Sequence, residues 1–242
     1  SAGGARIDGQ RLTLALAADT DPVWSPDGGR ILFRSMEGGT ANLFARPIGQ
    51  RAETSAIVLE SDLDETPTDW FGDQILFQAR GRNGADVMVL HTRTGHYGPI
   101  ADSAFNETDG RWSPDGRWMA YVSDESGRPD IYARRPDATR LRVSFAGGRR
   151  PRWTPDGRSI LFLRGSQIMR TDVTADGAAF TPAHALLAVP GIRDFDVAHG
   201  SDRLIALLPV ETGARPGISA VLNWMSLVLQ PTSNSDGRRS AG

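Results

Sequence analysis

The chain of 242 residues contains no cysteine, and none of its 27 basic residues is a lysine. Without cysteine there is no disulfide, no thiolate nucleophile and no cysteine-held zinc, and the redox state of the compartment is left open. Without lysine there is no amine for a Schiff base, for a Walker-type phosphate loop or for positioning ATP in a kinase site. Long apolar runs are missing too. No stretch approaches the roughly 20 residues of a membrane-spanning helix, and no basic-then-apolar leader opens the sequence. Neither sign of charge is in excess, since the formal net charge is −2 and the pI about 6.1. Nothing therefore draws the chain as a whole to nucleic acid or to an anionic membrane, and the pair Arg149-Arg150 reads as solvated loop residues.

What is present is enough apolar material for a core, 39% of residues, arranged in a repeat. Aromatic anchors stand at Trp24, Trp70, Trp112, Trp153 and Phe195, spaced by 46, 42, 41 and 42 residues. Behind each anchor come short alternating or β-branched runs: "RILFRS", "NLFARPI" and "AIVLE" after Trp24, "WMAYVS", "IYARR" and "LRVSF" after Trp112. Counting the anchor, each unit holds four short strands and no helix. Three anchors are followed by "SPDG" or "TPDG", in which Pro sets φ for the second turn position, Asp suits the third, and Gly accepts positive φ at the fourth. These predict type I hairpin turns, with Ser25 and Ser113 accepting local backbone hydrogen bonds. The second unit, "DWFGDQILF", lacks the Pro and predicts a tighter hairpin.

Four-stranded units at this period predict an all-β fold, a β-propeller with five recognisable blades whose anchor rings wedge between neighbouring sheets. A β-sandwich fits the period poorly. One expectation concerns closure: "RLTLALA", residues 11–17, completes the last blade beside "RLIALLP" and "ISAVLNW". The expected layout is a flexible N-terminus over 1–10, the propeller over 11–229 and a disordered polar tail over 230–242. A chain that begins "SAGGARIDG" is also expected to be a piece of a longer protein.

The phrase "WSPDG", followed by "SDESGRPDIY", resembles the TolB-like, WD-repeat-like propeller repeats of bacteria. The longer succession "PTDW", "FNETDGRWSPDGRWMAYVSDESGRPDIYARR", "VSFAGG", "PRWTPDG", "DFDV" and "VLNW" is similar to the C-terminal propeller of large serine/threonine protein kinases of Acidobacteria. The resemblance covers about Arg11 to Trp224. It implies a kinase domain upstream, often with a membrane span between, and favours a periplasmic or extracytoplasmic setting. Family propellers usually have more blades than five, and the tail after Leu229 does not share the likeness.

A search for chemistry leaves little. There is no G-x-S-x-G, H-E-x-x-H or G-x-G-x-x-G motif, and His91, His96, His184 and His199 show no paired ligand spacing. Acidic residues recur before the anchors, at Asp19, Asp21, Asp62, Asp64, Glu65, Glu107, Asp109 and Asp194. On a propeller this segment enters the innermost strand, so Asp21, Glu65, Glu107, Asp109 and Asp194 are expected at one mouth of the central channel, as a contact face for a protein or peptide. The "DLDE" stretch has carboxylate spacing seen in calcium loops but lacks their glycine and distal Glu. No catalytic residue, cofactor or metal is expected, and the chain reads as a monomeric, non-catalytic binding or sensing module of a larger signalling protein. The alternatives are the accessory propeller of a prolyl oligopeptidase-type hydrolase, or a channel-centred lactonase or glycosidase.

Overall fold

The structure is a computed structural model and describes residues 18–37, 39–48, 55–82, 84–100, 103–198, 203–209 and 218–221. Among the described residues every regular element is a β-strand, and the strands fall into five antiparallel sheets that follow one another along the chain. Blade one is β1 (Asp19–Trp24), β2 (Arg30–Ser35), β3 (Asn42–Pro47) and β4 (Ala56–Leu59); blade two is β5 (Asp64–Phe71), β6 (Gln74–Gly81), β7 (Gly84–His91) and β8 (Tyr97–Pro99). Blade three is β9 (Glu107–Trp112), β10 (Met119–Ser123), β11 (Asp130–Arg134) and β12 (Arg140–Arg142); blade four is β13 (Arg149–Trp153), β14 (Ser159–Arg164), β15 (Gln167–Asp172) and β16 (His184–Ala188). Blade five contributes β17 (Asp194–Val197), β18 (Leu204–Leu207) and β19 (Ile218–Val221). Sequence order is spatial order in each sheet, and the first strands of successive blades lie side by side from β1 to β17. The predicted β-propeller is thus present; "RLTLALA" and the ends at 1–10 and 230–242 lie outside the described residues.

The hairpin turns form as their residues dictate. At Gly28, Gly116 and Gly157, φ is 68°, 69° and 68°, and each glycine N–H donates to the carbonyl of the Ser or Thr three residues before it. The hydroxyl of Ser25, Ser113 or Thr154 donates to Oδ1 of Asp27, Asp115 or Asp156 at 2.6 Å, and accepts from the N–H of Arg30, Trp118 or Ser159. A fourth copy, "TADG" from Thr174, closes the turn before Phe180 in the same manner. In blade two, Phe71 pairs with Gln74 across Gly72 and Asp73, the tighter turn expected there.

Alternation along the strands then buries both faces of a blade. On β6, Ile75 and Phe77 pack toward blade one with Leu32 and Leu43, whereas Leu76 packs toward blade three with Met119 and Tyr121. The seam between blades three and four is filled by Ile131, Trp153, Ile160 and Phe162, and that between four and five by Leu161, Leu163, Ile168 and Phe195. Anchor rings close these seams: Trp153 Nε1 donates to the carbonyl of Arg111 in the preceding blade at 3.1 Å.

Register corrects one anchor. Trp24, Trp70, Trp112 and Trp153 pair with Ile31, Ile75, Met119 and Ile160 at the head of the second strand, and in blade five it is Val197 that pairs with Leu204. Phe195 lies two residues earlier and points into the seam with blade four. Aromatic character marks Phe195 in the sequence, but the ladder places Val197 in the anchor's role.

Candidate functional site at the channel wall

The first four innermost strands share an irregularity. Register slips by one residue between Thr20 and Val23, Pro67 and Asp69, Thr108 and Arg111, and Arg149 and Arg152, a β-bulge two or three residues before each anchor. Asp21, Asp109 and Arg150, three residues before their anchors, hold φ of 54°, 55° and 55°. An L-residue pays about 1–2 kcal/mol for this left-handed region, least for Asp, and bulges of this kind re-aim side chains. Pro67 stands at the same place in blade two, where its ring forbids positive φ. The next residue along, Thr68, Gly110 or Pro151, is buried in the seams, and at Gly110 a Cβ would come 2.7 Å from Val87 Cγ1.

The bulges bring charges together between neighbouring innermost strands. Arg150 reaches Asp109 Oδ1 at 3.1 Å on one side and Asp194 Oδ2 at 3.6 Å on the other. Arg152 reaches Asp194 at 3.4 Å and Asp196 at 3.3 Å. Asp69 accepts from the N–H of Trp112, in the next blade, at 2.7 Å. The result is an alternating array, Asp109, Arg150, Asp194, Arg152 and Asp196, across blades three to five. Beside it lie Asp69 and Arg111 on neighbouring innermost strands, both partly buried. Burial raises the Asp69 carboxyl above the ordinary carboxylate range despite the nearby Arg111 charge. Burial first, and the Arg152 charge second, bring Arg111 down to about 10, and its Nε is buried without a hydrogen-bond partner.

Asp109 and Asp194 therefore do converge, joined through Arg150, and Asp21 occupies the equivalent bulge of blade one. Glu65 and Glu107 do not join them. They are 1% and 0% exposed, so neither offers a carboxylate to a partner at the surface. Each instead takes a hydrogen bond from a serine four residues back, Ser61 at 2.8 Å and Ser103 at 2.5 Å, while Oε2 is buried without a partner. Burial holds both carboxyls above the ordinary range. They are pegs between blades, five residues before their anchors, a place that Asp19 holds in blade one.

The guanidinium groups are the other correction. Arg150 is a strand residue inside a bulge with two carboxylate partners, not a solvated loop residue, and Asp69, Arg111, Arg152 and Asp196 were not singled out from sequence at all. Their signal was present: a charged residue directly precedes the anchor in "DW", "RW", "RW" and "DV". Among the described residues no group of three His, Cys, Asp or Glu side chains is arranged to hold a metal ion.

Residues 67–181 match the family described as TolB beta propeller domain. The fold is a TolB-like β-propeller. The solved TolB of Acinetobacter baumannii superposes with a TM-score of 0.71 over 86% of this chain and 52% of that one, at 18% identity. The Tol-Pal system protein TolB of Bordetella pertussis is 29% identical over 132 residues, 53% of this chain and 30% of its own length. A Bacillus subtilis protein named uncharacterized peptidase YuxL is 36% identical over 81 residues, 32% of this chain and 12% of that one. The TolB-like propeller thus spans well under half the length of these curated relatives.

Proposed function

We propose that this TolB-like propeller is a non-catalytic protein-binding module that takes a partner's peptide segment at the channel wall of blades three to five. The observation that carries the reading is the array Asp109, Arg150, Asp194, Arg152 and Asp196, in which charge alternates across three blades. Asp196 remains largely exposed and Arg150 half-exposed, so both can exchange water or an internal partner for a ligand's charge. An alternating array favours an occupant with alternating charge and rejects runs of one sign, because like charges would face each other. The likeness to proteins named for the Tol-Pal system supports a protein as the partner. Membership of a larger signalling protein with a kinase domain is part of the proposal.

The test is selection from a displayed peptide library on the wild-type chain, with binders rescreened on Arg150→Gly and Asp194→Asn. Glycine at 150 suits the left-handed bulge, so the charge is removed without straining the fold. Binders that lose about tenfold or more in affinity on both variants support the reading. Binders indifferent to both variants place recognition elsewhere.

A second reading is favoured by the 36% identity to a protein named a peptidase: an accessory propeller beside a hydrolase domain. It requires a hydrolase domain in the same polypeptide or complex. Reading the full coding sequence distinguishes the two.

A further inference from the structure

Far from the channel, at the rim between blades three and four, an apolar groove of about 460 Å³ runs between β12 with its following loop and the segment before β16. Phe162 forms its floor, Phe180 and Pro182 one wall, and Phe145 the opposite lip. Phe145 is 67% exposed, the largest exposure of any big apolar side chain described, so most of the lip faces solvent. The Arg142 guanidinium lies 4.9 Å from its ring centroid, and Arg128 donates to its carbonyl, which fixes the lip rather than leaving it loose.

Charge decides what such a groove accepts. Two arginines, Arg142 and Arg164, line it and no carboxylate does. Arg142 is engaged by buried Asp130 at 2.7 Å, but Arg164 has no ion-pair or side-chain hydrogen-bond partner among the described residues. The polar groups of the walls are satisfied internally: Ser144 Oγ donates to Asp130, and Thr181 Oγ1 accepts from the N–H of Asp172. What the groove leaves open is apolar surface and one unpaired cation.

We infer that this groove is a second docking site, for an acidic peptide segment of a protein partner that inserts one aromatic or large aliphatic side chain between the blades and sets a carboxylate on Arg164. The volume suits one such side chain with its flanking backbone, and β12, which among the described residues pairs with β11 alone, leaves an outer edge beside it. The site goes beyond the channel array and shares no residue with it, so either can fail alone.

The experiment uses a fluorescein-labelled heptapeptide of alternating Glu and Phe, with a Lys and Phe counterpart, in anisotropy titrations of the intact chain. The acidic peptide is expected to bind and the basic one not. Phe145→Ala and Arg164→Ala each weaken binding by about tenfold, while Arg93→Ala, an exposed arginine of blade two, leaves it unchanged. Ala146→Trp, which crowds the groove from an exposed rim position, blocks the peptide without altering the melting temperature. Equal binding of the two peptides overturns the inference, and so does binding that survives Arg164→Ala and Ala146→Trp.

Discussion

Trp153 and Trp24 occupy the same position in two copies of one repeat, yet the first is 8% exposed and the second 58%. Both begin the same turn, with serine or threonine hydroxyl and aspartate locked together at 2.6 Å. The difference is the neighbour. Trp153 has blade three to close upon and spends its indole N–H on the Arg111 carbonyl; Trp24 has no preceding blade among the described residues. At the other end, Ile205 and Leu207 on β18 are exposed on the face that turns away from blade four. An anchor in a repeat protein therefore carries value only through the seam it fills, and local sequence cannot state that value.

The comparison is broken or sharpened most strongly at the anchors themselves. Trp153→Ala is expected to cost about 3–5 kcal/mol in urea unfolding, because a large ring leaves a closed seam. Next comes Asp130, fully buried at the head of β11, where it takes hydrogen bonds from Ser126, Ser144, the Gly147 N–H and Arg142. Asp130→Ala strands these donors beside the same seam and is expected to cost about 3 kcal/mol. Burial alone would raise this carboxyl, but those hydrogen bonds outweigh it and hold it below the ordinary range. Its contribution is thus present at neutral pH and is lost as pH falls through that lowered value.

The inter-blade pegs behave oppositely. Glu65 and Glu107 have raised folded-state values, so their favourable contribution is full in acid and fades as pH rises through those values. The double variant Glu65→Gln with Glu107→Gln should gain up to about 1 kcal/mol at pH 7 and lose that advantage toward acid, as read by melting curves across pH. Smallest is Trp24→Ala, expected to cost no more than about 1 kcal/mol, as surface substitutions do. A cost equal to that of Trp153→Ala would show that Trp24 is covered in solution and that the seam is closed there.

How much of this was legible follows from which features are local. The turn phrase, the period and the strand runs depend on neighbouring residues, and the fold followed from them. The anchor of blade five depended on register: Phe195 and Val197 differ by two residues, and only pairing with Leu204 decides between them. The site was half legible for the same reason. "DE" in "DLDE" and "ETD" in "NETD" look alike as acidic stretches, yet strand geometry buries Glu65 and Glu107 and turns Asp109 to an ion pair with Arg150 of the next blade. At Arg150 a bulge, invisible in composition, turns an apparent loop pair into a strand residue with two carboxylate partners.

The most direct test of the channel-wall account is a titration of a library-selected peptide into the wild-type chain and Arg150→Gly, at low and at physiological ionic strength. The account predicts that wild-type affinity falls with salt, and that the variant binds about tenfold more weakly with a flatter salt dependence. Equal affinity and equal salt dependence for the two proteins would contradict it.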